Sequence, residues 1–269
     1  MSIKYERAPV YEVVAELRWL PMGAAPAQQL SSIVNVAFTD GGALESFYMR
    51  FAAMLFGKGF EQTERVIPPG FLTPTHQVAL RVRNSKLSSP VLYQVGPGVF
   101  TSNALAPYDG WDSFSAFTTD GIATMLAARP EAERDAPISH MEVRYMNAFS
   151  DVQMKGLTPS QFMQNVLGFA SPVPAAIAKV ATAPVQGLQF TFQVPVADDL
   201  ILAMMVIDGK FVSGGTGQAL GMNLGVISQA KIAPTVEAIS AVLDRAHRAA
   251  HDFFESLINP IRHELLPKE

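Results

Sequence analysis

Alternation of apolar and polar residues marks the first strand of the chain. Every second residue from Tyr11 to Trp19 is apolar, and Glu12, Glu16 and Arg18 lie between them. A period of two is typical of a strand with one buried face. The pattern returns over Ser139–Phe149. Both segments are therefore predicted to be half-buried strands.

A four-residue motif occurs in both of these strands. It reads Glu16-Leu17-Arg18-Trp19 in the first and Glu142-Val143-Arg144-Tyr145 in the second: acid, aliphatic, arginine, aromatic. The repeat predicts two related halves, residues 9–130 and 138–262, within a single compact unit of residues 1–269. An ordinary α+β domain that uses a common strand pattern twice would also account for it.

Hydrophobic periodicity predicts the same order of elements in each half: a strand, a helix, three strands and a second helix. In the first half these are, after the first strand, a helix over Ala43–Gly57, strands over His76–Asn84, Val91–Val95 and Val99–Asn103, and a helix over Trp111–Arg129. In the second half they are a helix over Thr158–Phe169, strands over Gln186–Val194, Leu200–Ile207 and Ala219–Ser228, and a helix over Thr235–Asn259. We expect an α+β fold with a mainly antiparallel sheet, helices on one face and a polar, open opposite face.

Composition narrows the class of protein. The chain has 269 residues, of which 49% are apolar and 16% are charged, so it can bury a sizeable core. The net charge of −4 argues against a general nucleic-acid binder, which usually carries an excess of positive charge. The lack of cysteine excludes disulfides, thiolate nucleophiles and cysteine metal sites.

The sequence shows no export or membrane signal. Residues 1–8 carry charges and lead directly into the first strand, without the apolar core of a signal peptide. The longest strongly apolar run, Leu200–Ile207, is too short for a membrane-spanning helix, which needs about 20 residues. We expect a cytoplasmic protein that is not bound to a membrane.

The two Glu/Arg pairs are the first candidate site. If the motif strands are neighbours in the sheet, Glu16 can pair with Arg144, and Glu142 with Arg18, across the strands. Two arginines brought together in this way can clamp a carboxylate or a phosphate. The alternative is that the four charges neutralise one another on a solvated sheet face and bind nothing.

Gln94 and Asn103 are the second candidate. They flank Gly96-Pro97-Gly98, which predicts a tight turn between two strands. From these strands the two amides can bind a ligand or cross-link the strands, and Trp111 is expected to pack on the turn. The alternative is purely structural, because a hairpin docked by a tryptophan needs no ligand.

Two further motifs carry weaker signals. His247 and His251 lie one helical turn apart, close to acidic residues, but no third metal ligand is evident, and we interpret them as surface residues. The segment Lys210–Gln218 resembles a phosphate-binding loop, yet it lacks the Gly-Lys-Ser/Thr ending and precedes a strand. We predict no metal and no cofactor.

Six short segments spread along the chain form a set. They are Pro9-Val10-Tyr11-Glu12, Glu16-Leu17-Arg18-Trp19, Gln94-Val95-Gly96-Pro97 with Asn103, Tyr108-Asp109-Gly110-Trp111, Arg144-Tyr145-Met146-Asn147, and Leu243-Asp244 with His247. In this order and spacing they resemble a sporadically distributed family of bacterial conserved hypothetical proteins of similar length, to which no activity is assigned. The resemblance covers most of the chain and implies no catalytic residues.

The long helix near the end of the chain is predicted to be amphipathic. Its apolar positions, from Val236 through Leu243 to Phe253, make one stripe, with charged residues opposite. Such a helix is expected to pack on its own sheet and to bury Phe253. The alternative is a helix that binds a partner.

These observations predict a binding or interaction protein instead of an enzyme. The expected ligand is a protein partner or a small anionic ligand on the open sheet face, and a homo-oligomer is compatible with the sequence. The ligand-binding residues are predicted to be Glu16, Arg18, Gln94, Asn103, Glu142 and Arg144. The alternative is an enzyme, a hydrolase that acts on a phosphorylated or nucleotide substrate through carboxylates and arginine, although no pairing of nucleophile and base is evident.

Overall fold

Nine strands make up the sheet in the part of the chain that the structure describes. A computed structural model describes residues 8–21, 41–71, 73–84, 90–169, 175–182, 189–209 and 219–261. Within these ranges the strands pair in the order β2-β3-β4-β5-β1-β6-β9-β8-β7, in a mainly antiparallel sheet. The strands are β1 Val10–Trp19, β2 Gln62–Arg65, β3 Leu80–Asn84, β4 Val91–Gly96, β5 Val99–Leu105, β6 Ile138–Phe149, β7 Gln189–Ala197, β8 Leu200–Gly209 and β9 Ala219–Ser228.

Helices accompany the mainly antiparallel sheet, and the predicted α+β fold class is confirmed. The helices are α1 Gly41–Phe56, α2 Trp111–Ala128, α3 Asp151–Met154, α4 Pro159–Asn165, α5 Ala175–Val180 and α6 Val236–Ile258, with 3₁₀ turns at Glu131–Glu133 and Asn259–Ile261. Thr158 caps α4, because its hydroxyl accepts a hydrogen bond from the Gln161 N–H at 3.2 Å. Among the helices described, none is long and apolar enough to cross a membrane.

Several elements differ from the sequence prediction, among them the short helix α3, which was not predicted. Strand β2 was not predicted, because its four residues are polar throughout and show no apolar alternation. Strand β3 begins at Leu80 and not at His76, since His76 adopts a positive φ of 64° that a strand cannot contain. Helix α5 lies in a Pro- and Ala-rich segment and has no counterpart among the predicted elements. The first half therefore has four strands after α1, not three.

The order of the strands is similar in the two predicted halves. From β1 outwards, the neighbours are β5, β4 and β3; from β6 outwards, they are β9, β8 and β7. In each half, the first strand thus lies beside the last strand of that half. The two motif strands, β1 and β6, are neighbours as predicted. Internal duplication itself stays a prediction.

The chain divides into two compact units. The amino unit comprises Glu12–Val143 and Ile227–His247, and the carboxyl unit comprises Met1–Tyr11, Arg144–Val226 and Arg248–Glu269. The boundaries fall within β1, β6, β9 and α6. The predicted single compact unit of residues 1–269 stays a prediction.

Helices α1 and α2 both pack on one face of the sheet in the amino unit. The Phe51 ring of α1 contacts the rings of Tyr93 and Phe100 edge-on, with centroids 6.2 Å apart in both pairs. Phe117 of α2 stacks on Tyr93 at 4.2 Å. Alternate residues of β1 contribute to this core, and Trp19 at its end is fully buried. The predicted arrangement of helices on one sheet face is therefore present in this unit.

The core of the carboxyl unit is built on alternate residues of β8. Leu202, Met204 and Val206 are at most 2% exposed. The Phe192 ring, on the neighbouring strand β7, meets Phe253 of α6 edge-on at 6.4 Å. Phe253 is only half-buried, so the sequence prediction of a buried aromatic overstated its burial.

Candidate functional site

A row of polar side chains crosses five strands of the amino unit. Glu64, Arg81, Gln94, Thr101 and Glu16 lie directly opposite one another on β2, β3, β4, β5 and β1. Directly paired residues project from the same side of a sheet. Their neighbours along each strand point instead towards α1 and α2. We call the surface that carries this row, on the side away from α1 and α2, the polar face.

Hydrogen bonds join most of the row. The Arg81 guanidinium donates from Nη1 to Glu64 at 3.4 Å and from Nε to the Gln94 carbonyl at 2.7 Å. The Gln94 amide donates in turn to the Thr101 hydroxyl at 3.0 Å. Arg83, in the next position on this side of β3, donates to Glu64 at 3.3 Å. These side chains therefore hold one another in fixed orientations.

Asn103 is the centre of the network. Its carbonyl accepts hydrogen bonds from Thr101 at 2.8 Å and from Gln94 at 3.1 Å, and its amide donates to Glu12 at 2.7 Å. Thr101 and Asn103 are each only 5% exposed. The polar face was predicted to be open, but it is buried around Asn103. The exposed parts of the polar face are at Glu64, Arg83 and Arg18.

Glu16 and Arg18 pair with each other along β1. Two residues apart on a strand, they project from the same side, and Arg18 Nε donates to the Glu16 carboxylate. The Glu16 side chain is 10% exposed and that of Arg18 is 39% exposed. The arginine is therefore the more solvent-exposed member of this pair.

Glu142 and Arg144 lie on β6, between positions that are buried. Met141 and Val143 are fully buried, whereas Glu142 and Arg144 are half-buried, so the predicted alternation is correct. Glu142 belongs to the amino unit and Arg144 to the carboxyl unit. The ion pairs of Glu16 with Arg144 and of Glu142 with Arg18 stay predictions.

The predicted turn between the strands of Gln94 and Asn103 is confirmed. Gly96 and Val99 pair at the ends of β4 and β5, and Gly98 has a φ of 67°. A Cβ on Gly98 would lie 2.4 Å from the carbonyl oxygen of Trp19. Because Trp19 N–H also donates to Gly98 O at 3.0 Å, the turn docks directly on the end of β1.

Trp111 does not take the predicted role of packing on this turn. Its indole stacks on His247 of α6, with ring centroids 4.1 Å apart and an angle of 4° between the planes. Its Nε1 donates to the Asp244 carboxylate at 3.1 Å. Trp111, Asp244 and His247 all belong to the segments on which the family resemblance rests. Their contact gives these segments a shared structural role, the docking of α2 on α6.

A buried charged cluster surrounds Trp19 on the other side of the sheet. The Trp19 indole donates to Glu133 at 2.7 Å, and the Arg129 guanidinium lies 4.5 Å from the centre of the indole ring. Arg129 is 1% exposed and Glu133 is 4% exposed. Sequence reasoning missed this cluster, because charged residues just after a helix are usually on the surface. The acid-rich run after Pro130 gave no signal of burial.

Burial changes the acid–base properties of this cluster. It lowers the pKa of Arg129 to about 10, although the carboxylates of Glu133 and Asp135 act in the opposite direction. Arg129 Nη2 donates to the Ala136 carbonyl at 3.1 Å, while Nε and Nη1 have no hydrogen-bond partner in the described part of the chain. Arg129 stays charged at neutral pH and is held mainly by Trp19 and by the nearby carboxylates.

The weaker motifs gain no support as chemical sites. No group of three His, Asp or Glu side chains that could hold a metal ion occurs among the residues for which the structure gives positions. His247 is engaged in the stack on Trp111. The segment Lys210–Gln218 lies outside the described residues.

Comparisons with known proteins leave the site to be interpreted from its geometry. No protein-family model matches the chain, and no curated protein matches it. The resemblance to a family of bacterial conserved hypothetical proteins stays a prediction.

Proposed function

We propose that the protein is a binding protein that recognises a protein partner through the polar face of the amino unit. The observation that carries this proposal is the in-register row of Glu64, Arg81, Gln94, Thr101 and Glu16 across five strands. A sheet face with no binding role needs only solvated side chains. Here the side chains form an ordered network.

Order in the free protein favours binding. A surface side chain that is immobilised on association costs about 0.5–1.5 kcal/mol in lost rotamer freedom. Arg81 and Arg83 are already held by hydrogen bonds to Gln94 and Glu64 before a partner arrives. Recognition by these residues therefore carries a smaller entropic penalty than recognition by unrestrained side chains.

The charges of the polar face favour a protein over a small anion. Its arginines are Arg18, Arg81 and Arg83, and each contacts a carboxylate or an amide of the same face. A carboxylate or phosphate ligand would have to displace those partners. The hydrogen-bonded network also contains three glutamates, Glu12, Glu16 and Glu64, so the formal charges within this network cancel. Closely interspersed charges of both signs suit a protein surface with the complementary arrangement.

Two paired substitutions test this proposal. In one variant, Arg81→Ala and Arg83→Ala remove a half-buried and an exposed donor near the edge of the polar face. In the matched control, Arg50→Ala and Arg134→Ala remove two exposed arginines outside that face, with the same change of net charge. Tagged wild type, variant and control are used for affinity co-purification, and the proteins retained are quantified by mass spectrometry. A partner that is retained by wild type and control but depleted with the variant is the expected result.

The small-anion alternative has its own variant. Arg18→Ala with Arg144→Ala removes both motif arginines, which a carboxylate or phosphate clamp would require. Calorimetric titration with inorganic phosphate is the measurement. Heat of binding in wild type that is lost in this variant, together with no protein partner in the co-purification, would replace the protein-partner proposal by the anion clamp.

A further inference from the structure

Strand β7 forms one edge of the sheet and is exposed along most of its length. Strand β8 is its neighbour within the described residues, and β7 ends the strand order. Gln193–Ala197 is exposed at every position. Val194 is 45% exposed and Val196 is 43% exposed. An edge strand presents unpaired N–H and C=O groups, so β7 offers a template for another strand.

The opposite edge of the sheet shows how such an edge is normally protected. Strand β2 has only four residues and carries Glu64 and Arg65. Short length and charge both discourage pairing with another chain. Strand β7 has nine residues, Gln-Phe-Thr-Phe-Gln-Val-Pro-Val-Ala, without a single charged side chain. Its protection is limited to Pro195 and the register shift between Pro195 and Ala197.

The surface beside β7 is uncharged as well. On the side of the sheet that carries Thr191 and Gln193, the paired residues of β8 are Met205 and Ala203, and Ile207 continues the row. These β8 residues are at least partly accessible. An uncharged strand next to an apolar strip is unusual for a surface that faces only water.

We propose that two copies of this chain associate by antiparallel pairing of their β7 strands. Charge favours a second copy as the occupant. A strand without charged side chains can pair with itself and place no like charges opposite each other. The same strand on both sides gives a two-fold, self-complementary interface.

Charge also selects the antiparallel direction. Asp198 and Asp199 lie in the turn immediately after β7. Parallel pairing would bring these acidic turns from the two copies together, whereas antiparallel pairing places them at opposite ends of the interface. Pro195 lacks an N–H and limits the continuous ladder to the segment before it, Gln189–Val194.

Two single substitutions test the pairing. Thr191→Lys and Gln193→Lys each introduce one positive charge on an exposed position of β7, and the two-fold axis brings the added charges of both copies into the same short interface. Thr63→Lys makes the same change on the exposed edge strand β2 and is the matched control. Sedimentation velocity over a series of protein concentrations gives the oligomeric state. Hydrogen exchange at low and high concentration locates the protected amides.

We expect a concentration-dependent dimer for wild type and for Thr63→Lys, and monomers for the two β7 variants at the same concentrations. In wild type, the β7 amides should be better protected from hydrogen exchange at the concentrations at which the dimer forms. Three results would overturn the proposal: a monomer at all concentrations, a dimer that the β7 lysines leave intact, or β7 amides that become protected only when a strand-forming peptide of another protein is added.

Discussion

The indole Nε1 of Trp19 donates a 2.7 Å hydrogen bond to the buried carboxylate of Glu133. Arg129 lies over the same indole ring, 4.5 Å from its centre. Trp19 ends the motif strand β1, so this contact ties the strand to the turn that follows α2. The motif aromatic thus has a structural partner on the side of the sheet opposite the polar face.

Replacing Arg129 by leucine should destabilise the protein strongly. The change removes a buried cation that interacts electrostatically with the carboxylates of Glu133 and Asp135, and removing one member of a buried charged group costs about 3–5 kcal/mol. Chemical denaturation followed by circular dichroism measures the free energy of unfolding. The double variant with Glu133→Gln should lose less than the sum of the two single losses, because the two side chains belong to one cluster. Strict additivity would show that Arg129 and Glu133 act independently.

The buried tyrosines should make stability fall at alkaline pH. Burial raises the pKa of Tyr48 and of Tyr93 above the ordinary value of 10. The unfolded chain therefore releases these protons at lower pH than the folded chain. The stabilisation is complete below about pH 10 and is lost as pH rises further. Absorbance at the tyrosinate band should show two tyrosines that ionise only when the protein unfolds.

Substitution of each tyrosine by phenylalanine should have different effects on stability, because the two hydroxyl groups differ in their hydrogen bonding. The Tyr93 hydroxyl donates to the Phe117 carbonyl at 2.6 Å, so Tyr93→Phe should cost about 1 kcal/mol at neutral pH. The Tyr48 hydroxyl is buried and has no hydrogen-bond partner in the part of the chain that the structure describes. Tyr48→Phe should therefore be neutral or stabilising. Thermal melts at neutral pH distinguish the two, and equal losses would contradict the assignment.

Gly121 should not tolerate alanine, although it lies within helix α2. Alanine normally favours a helix over glycine by about 1 kcal/mol. A Cβ at this position would lie 2.3 Å from the Tyr93 ring and 2.9 Å from the Phe100 ring. Overpacking of this kind costs about 1–3 kcal/mol, so a net loss of stability is expected in denaturant unfolding. If the variant is instead more stable than wild type, α2 does not pack on β4 this closely.

Phe253→Ala should destabilise the protein by less than a core aromatic does. Complete removal of a buried phenylalanine costs about 3–5 kcal/mol. Phe253 is half-buried against Phe192, so a loss below about 3 kcal/mol is expected from denaturant unfolding. If Phe253→Ala leaves stability unchanged and weakens only self-association, this end of α6 is part of an interface.

Strands with one buried face were predicted well because apolar and polar residues alternate along them in the sequence. Strand β1 begins one residue earlier than predicted, and β9 was predicted with its observed bounds. Strand β2 could not be found, since its polar residues at a sheet edge carry no alternation. The Gln94–Asn103 hairpin was predictable because its turn requires glycine at a positive φ.

The hydrogen-bond partners of the site residues were harder to predict from the sequence. Gln94 and Asn103 were identified, but their hydrogen bonds depend on the register between β4 and β5, which sequence periodicity does not specify. Arg81 and Glu64 were not identified as site residues, because charged residues on a strand usually indicate a solvated face. Trp111 was predicted to pack on the turn, yet its partner, Asp244, lies 133 residues further along the chain.

The affinity of the purified partner for wild type and for the Arg81→Ala, Arg83→Ala variant tests the proposed binding surface most directly. Isothermal titration calorimetry is the measurement, with Arg50→Ala, Arg134→Ala as the control. Each lost charge-assisted hydrogen bond contributes about 1.5 kcal/mol or more, so the variant should bind about 100-fold more weakly while the control binds as wild type does. Equal affinity of variant and wild type, with both correctly folded, would contradict recognition through the polar face.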